Sequence, residues 1–280
     1  MEYERKVIIW ILSVFLSVMA ATAWATDFGE DGIMHGSREV KNLEITVIYD
    51  NNPYDDRLET AWGFSCLIRG TEKTILFDTG GDGSRLLKNM GKLGIHPEEI
   101  DAIILSHIHG DHVGGLRSVL EKNPDVIVYL PKSFPESFKD GVKGCGARVI
   151  DVLGPLKICE NVYSTGEMDG GIKEQSLIIK TEKGIIVITG CAHPGIVGIV
   201  KEARNLIENR VLLVMGGFHL SGKNTSEIEN IIRDFKKLGV RYVGPCHCTG
   251  DKARQLFERE YQENYIDAGA GKIITMDDLK

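Results

Sequence analysis

Two ten-residue segments of this chain, 110 residues apart, agree at six of their ten positions: TEKTILFDTG ends at Gly80 and TEKGIIVITG ends at Gly190. A serine and three apolar residues precede each segment at similar distance, Ser65 to Ile68 and Ser176 to Ile179. Chance likeness between two generic strand–turn segments is the competing account. Taken as a repeat, the pattern builds the chain from two related halves, each a β-hairpin leading into alternating strands and helices. Two sheets packed face to face with helices outside follow from such a duplication. The strand ends at Asp78–Gly80 and Thr189–Gly190 then meet at one edge.

Hydrophobic periodicity supports this α/β reading. Leu43–Tyr49, Gly63–Ile68 and Thr74–Phe77 have strand patterns, as do Ala102–Leu105 and Val126–Leu130. In the second half the strands are Ser176–Ile179, Ile185–Ile188, Val211–Val214 and Val240–Val243. Helical spacing marks Ser84–Leu93, stopped by Gly94, a stretch carrying Ile196, Val200, Ala203 and Ile207, and another near Lys252–Glu260. A further helix runs to Leu238 and Gly239, with Ser226 and Glu229 in capping-box positions. Pro131 to Gly146, which contains Phe134 and Phe138, reads as irregular, a surface loop or a pocket-lining insertion.

The first 25 residues differ from the rest. Arg5 and Lys6 precede an apolar run from Val7 to about Ala23, and Ala23 and Ala25 suit an A-x-A cleavage site. This is the form of a secretory signal peptide, with an uncleaved N-terminal anchor as the alternative. Residues 26–42 read as a linker and 43–280 as one domain, expected to work outside the cytoplasm, in the periplasm or extracellular space. The net charge of −7 and the scattered basic residues give no reason to expect nucleic acid, and any membrane contact would run through the N-terminal segment. Six cysteines without regular spacing read as buried thiols rather than a disulfide framework.

The chemistry concentrates at His107-Ile108-His109-Gly110-Asp111-His112, directly after the apolar strand Ala102–Leu105. Three of the eight histidines in the chain fall in these six residues, too many for packing to explain. Imidazole suits zinc and iron, and one carboxylate oxygen widens the choice to include manganese. His193, His219 and His247 each follow an apolar strand in the second half, and Asp78 holds the matching strand end in the first. Three histidines at equivalent positions favour a shared site.

FDTG at Phe77–Gly80, HxHGDH at His107–His112 and the later lone histidines stand in the order that resembles the metallo-β-lactamase superfamily. The resemblance implies a four-layer αβ/βα sandwich with divalent metals, one or two zinc ions first among them, at the sheet edges. It would place His107, His109 and His193 on a first metal, and Asp111, His112 and His247 on a second. Asp78 would orient a ligand from behind. The superfamily commonly bridges its metals with an aspartate, yet the corresponding stretch here reads MGGFHL and offers only His219. We therefore expect His219 as a ligand or near-ligand.

AWGFSCLI at Ala61–Ile68, GCAHPG around His193 and GGFHL at Gly216–Leu220 are similar to the dihydropterin-ribofuranosylaminobenzene-phosphate synthase-like subgroup. The expectation is a metal-dependent hydrolase of an ester, lactone or phosphoester small molecule, acting through metal-bound hydroxide with Asp111 orienting the water or moving its proton. A transferase that releases a diphosphate, resembling that synthase, is the alternative. A non-catalytic metal-dependent ligand binder is the third. Cys246 and Cys248 flank His247, and in an extended chain they would face away from it.

Overall fold

A computed structural model describes Val40 and residues 42–280. The stretch 1–25 read as a signal peptide and the stretch 26–42 read as a linker, apart from Val40 and Asn42, lie outside the described residues. In chain order the first half contains β1 (Glu44–Tyr49), β2 (Ser65–Arg69), β3 (Ile75–Phe77), α1 (Gly83–Lys92), β4 (Ala102–Ile104), α2 (Gly110–Val113), α3 (Leu116–Leu120), β5 (Ile127–Pro131), α4 (Glu136–Gly144) and β6 (Arg148–Val152). The second half has β7 (Leu156–Cys159), β8 (Val162–Ser164), β9 (Leu177–Thr181), β10 (Gly184–Thr189), α5 (Ile196–Ile207), β11 (Val211–Gly217), α6 (Thr225–Lys237), β12 (Tyr242–Cys246), α7 (Asp251–Tyr261) and β13 (Ile273–Thr275).

The strands form two sheets, ordered β13-β1-β2-β3-β4-β5-β6 and β12-β11-β10-β9-β8-β7. In the first, β2 and β3 pair antiparallel and β3 through β6 run parallel. In the second, β9 and β10 pair antiparallel and β10 through β12 run parallel. The repeat therefore has a structural counterpart, because β2–β3–β4–β5 and β9–β10–β11–β12 share one connectivity.

Side-chain alternation on each strand divides the apolar residues between two faces. Inward-facing Ile45, Val47, Cys66, Ile68 and Phe77 meet Leu177, Ile179, Ile186, Ile188 and Met215 from the opposite sheet. Outward-facing Leu76, Ile103 and Val128 pack under Leu86 and Met90 of α1 and Val119 of α3. On the other side Ile185, Val187 and Val214 pack under Val200 of α5, Ile232 of α6 and Phe257 of α7. The layers run helix, sheet, sheet, helix, which is the αβ/βα sandwich. Each fully buried isoleucine or leucine contributes roughly 1.5–3 kcal/mol. Among the described residues no helix is long and apolar enough to cross a membrane.

Three sequence expectations need correcting. Glu136–Gly144 is a helix, not an irregular stretch, and Phe134 is buried in the core beneath the outer helices. The strands β6, β7, β8 and β13 went unread because charged or exposed residues such as Arg148, Asp151 and Lys157 break their apolar alternation. The capping box of α6 is made by Asn224 with Glu227 rather than by Ser226 with Glu229. Asn224 Oδ1 accepts from Glu227 N at 3.0 Å, and Glu227 Oε2 accepts from Asn224 N at 2.9 Å.

Candidate metal centre

The carboxyl ends of five neighbouring strands meet at one edge of the sandwich, where ligands of α/β sheets bind. Asp78 follows β3, His107 to His112 follow β4, Cys191 to His193 follow β10, His219 follows β11, and His247 and Cys248 follow β12. The two halves touch closely here. A Cβ on Gly190 would lie 2.1 Å from Ser106 Oγ and 2.9 Å from Asp78 Oδ2, so only glycine permits this approach.

Four groups of side chains have their ligand atoms within 4.8 Å of one another: His107, His109 and His193; Asp111, His112 and His247; His107, His112 and Cys191; and Cys191, His219 and Cys248. His109 Nδ1 lies 3.1 Å from His107 Nε2. Asp111 Oδ2 lies 3.3 Å from His247 Nε2 and 3.6 Å from His112 Nε2. His219 is exposed; its ring centre lies 4.7 Å from that of His193, and its ring nitrogen groups with the sulfurs of Cys191 and Cys248.

Outward partners fix how these rings face. Asp78, wholly buried, accepts from Ser106 N (2.7 Å), Ser106 Oγ (2.7 Å) and His112 Nδ1 (2.7 Å). Because the Ser106 hydroxyl donates to Asp78, it accepts from His107 Nδ1 at 2.9 Å. Glu174 Oε2 accepts from His193 Nδ1 at 2.9 Å. Asn51 Oδ1 accepts from His247 Nδ1 at 3.0 Å, and Asn51 Nδ2 donates to His247 O, which fixes the orientation of the amide. With each Nδ1 donating outward, four Nε2 lone pairs converge on the interior.

That convergence is the test of fit for a metal ion. Neutral imidazoles whose lone pairs face each other repel, and a shared cation relieves them. The donor set of imidazole nitrogen with one carboxylate suits a divalent metal. Electrostatics agree: burial pushes His107 and His112 down to about 3, keeping both uncharged and free to ligate. Burial opposes the charged form of His247, but its bond to Asp111 carries it above the ordinary range. Burial pushes Asp78 up to about 7, although its three donors favour the ionised form. Glu174 is buried too, yet its bond from the His193 ring and those from the backbone N–H groups of His193 and Ala192 hold it down at about 2.

Backbone strain gathers at the same edge. Asp78, Ala192, His219 and His247 are non-glycine residues with left-handed φ of 55°, 61°, 52° and 48°. Such conformations cost on the order of 1–3 kcal/mol each and persist where surrounding structure holds them.

Sequence reasoning missed several members of this constellation. Glu174 sits just before a strand, a position that could face the site but carries no motif to assign a role; it accepts from the backbone N–H groups of Cys191, Ala192 and His193 and so shapes the whole loop. Cys248 is not turned away, because His247–Thr249 is a 3-10 turn rather than extended chain. A hydrogen bond between the buried thiols of Cys191 and Cys248 lowers Cys248 below the ordinary thiol range and raises Cys191 in turn. All six cysteines are free thiols. Trp62 stands at the rim, 56% exposed, with its ring 4.8 Å from that of His247.

A profile described as the metallo-beta-lactamase superfamily matches residues 63–203. The chain belongs to this superfamily. Among curated relatives, a 7,8-dihydropterin-6-methyl-4-(beta-D-ribofuranosyl)-aminobenzene-5'-phosphate synthase from Methanocaldococcus jannaschii is 33% identical, covering 84% of this chain and 97% of that protein. Among solved structures, Tm1679, described as a metal-dependent hydrolase of the beta-lactamase superfamily, is 30% identical with a TM-score of 0.71, covering 83% of this chain and 98% of that one. The metallo-beta-lactamase fold protein YhfI from Bacillus subtilis, at 16% identity and a TM-score of 0.64, shares the fold across 84% of this chain and 99% of its own. Metallo-beta-lactamase membership carries with it a metal-dependent hydrolase fold and divalent metal binding, and the strand ends here carry His/Cys/Asp groups that could hold such an ion.

Proposed function

We propose that this protein is a metal-dependent hydrolase of a small ester, lactone or phosphoester. The observation that carries the reading is the convergence of His107, His112, His193 and His247 beside the partly exposed carboxylate of Asp111. His107, His109 and His193 would hold one ion, and Asp111, His112 and His247 a second. A bound divalent ion supplies electrophilic activation of the substrate oxygen and of a water molecule. Asp78, Glu174, Ser106 and Asn51 keep the ligating rings fixed from behind. Asp111, with 22% of its side chain open to solvent and its own pKa held low, is ionised at neutral pH and placed to orient a water or take its proton. Trp62 offers a flat apolar face on which a ring-bearing substrate can stack.

A second reading has specific support from the 33% relative named as a synthase: a transferase that expels a diphosphate and joins the remaining group to an amine. The apolar N-terminal run and its small-residue end support export, which fits a hydrolase of external substrates better than a biosynthetic step. One experiment separates them. Metal-loaded protein is assayed against ester, lactone and phosphoester panels, and against a pterin diphosphate with and without an arylamine. Amine-independent hydrolysis that Asp111→Asn reduces by about 10²–10⁴ supports the hydrolase. Pyrophosphate release that requires the amine overturns it in favour of the transferase. Retained ligand without turnover would leave a binding protein.

A further inference from the structure

We propose that Cys191, Cys248 and His219 form a thiolate-bearing metal-ligand set, continuous with the histidine centre, which commits this site to a thiophilic divalent metal such as zinc or iron rather than manganese or magnesium. The proposal rests on the reading of the site as a metal centre and is independent of the reaction performed there.

Three observations carry it. First, the two Sγ atoms and a ring nitrogen of His219 lie within 4.8 Å of one another, a spacing that one ion can span. Both cysteines are buried, at 4% and 5% exposure, and neither is in a disulfide. Second, Cys191 belongs to two groups at once. Its Sγ is 3.2 Å from His112 Nε2 and also groups with His107, so the sulfur borders the histidine centre as well as the His219 side. Its backbone N–H is held at 2.9 Å by Glu174 Oε1, the same carboxylate that orients His193. Third, the end of β11 leaves room for sulfur. A Cβ on Gly217 would lie 2.7 Å from Cys248 Sγ and 3.2 Å from His247 Cδ2. The thiol therefore occupies the space into which a side chain at that strand end would project, where MGGFHL lacks a carboxylate.

Thiolate is a soft donor that favours zinc and iron, whereas manganese and magnesium prefer oxygen ligands. Both cysteines would lose their protons to solvent on binding, as metal-held thiols do. His219 would then add a nitrogen from the exposed side and close the set against water.

The test uses tag-free protein loaded with zinc, and separately with cobalt. X-ray absorption on the zinc form should show sulfur in the first shell at about 2.3 Å. The cobalt form should show sulfur-to-cobalt charge-transfer absorption that Cys248→Ser diminishes and Cys191→Ser with Cys248→Ser abolishes. His219→Ala, at an exposed position, should lower bound metal without affecting folding. Metal bound with nitrogen and oxygen scatterers alone overturns the thiolate set and leaves the histidine centre standing. Failure to bind zinc or cobalt overturns both. The wild-type absorption measurement decides the matter even if the cysteine variants do not fold.

Discussion

His112 and His247 face each other Nε2 to Nε2 at 3.2 Å, while the Nδ1 of each is engaged outward, by Asp78 and Asn51 respectively. Neither ring can turn without losing its outward hydrogen bond, so the two Nε2 atoms are committed to whatever cation lies between them. The bond from His247 to Asp111 favours the charged ring, so a proton competes with a divalent ion for that position. Metal affinity should therefore fall as the medium is acidified from pH 7.5 to 6, by at least one decade. Competition titration with a chromophoric chelator reads this directly, and a flat profile would contradict the proton-for-metal exchange. His247→Ala should lose the ion held by that pair, seen as lower metal content in elemental analysis.

Glu174 makes a sharper case. Its two oxygens accept from three backbone N–H groups and from His193 Nδ1, all within 2.8–2.9 Å, and the carboxylate is fully enclosed. Glutamine keeps one acceptor oxygen and turns an NH₂ towards donors that need an acceptor. Glu174→Gln should weaken metal binding by about 10–100-fold. It should also cost on the order of 1–3 kcal/mol in the metal-free protein, measured by urea unfolding. Unchanged values for both would remove Glu174 from any positioning role.

At the rim, Trp62→Ala should raise KM by roughly fivefold for substrates that carry a ring, consistent with stacking worth about 1 kcal/mol, and leave kcat nearly unchanged. Steady-state kinetics on a ring-bearing and a ring-free substrate of the same reaction tests this. An equal effect on both would mean that the indole only shapes the loop.

Alkaline stability follows from the buried thiols. Burial pushes Cys159 up to about 11 and Cys66 and Cys246 well above their ordinary value of 9. Between pH 9 and 11 the folded chain keeps protons that the unfolded chain has released, so the unfolded state binds fewer protons and stability falls as pH rises. Urea midpoints of metal-free protein should drop between pH 8 and 10.5, and less so in Cys159→Ala. A midpoint that holds steady across this interval would refute the assignment.

Much of the architecture was legible because repetition and periodicity are local signals. The shared TEK…TG segments and the apolar strands β3, β4, β10 and β11 announce a two-sheet sandwich before any contact is known. The histidines stood out through their crowding after β4 and their recurrence at strand ends. Glu174, Asn51 and Cys191 did not, because each gains its role only from a partner across the fold: Glu174 is 19 residues from His193, and Asn51 is 196 from His247. Cys248 was misread because a 3-10 turn, not an extended strand, carries it past His247. His219 was singled out by its position, and it lies beside His193 with its ligand atom grouped with two sulfurs that the sequence did not mark.

Both histidine groups are composite. One takes His107 and His109 from the first half and His193 from the second; the other takes Asp111 and His112 from the first and His247 from the second. An ion bound there would act as a clasp between the two sheets, added to their apolar contact and to hydrogen bonds such as Gln175 Nε2 to Leu105 O at 2.9 Å. Neither half carries a full clasp of its own.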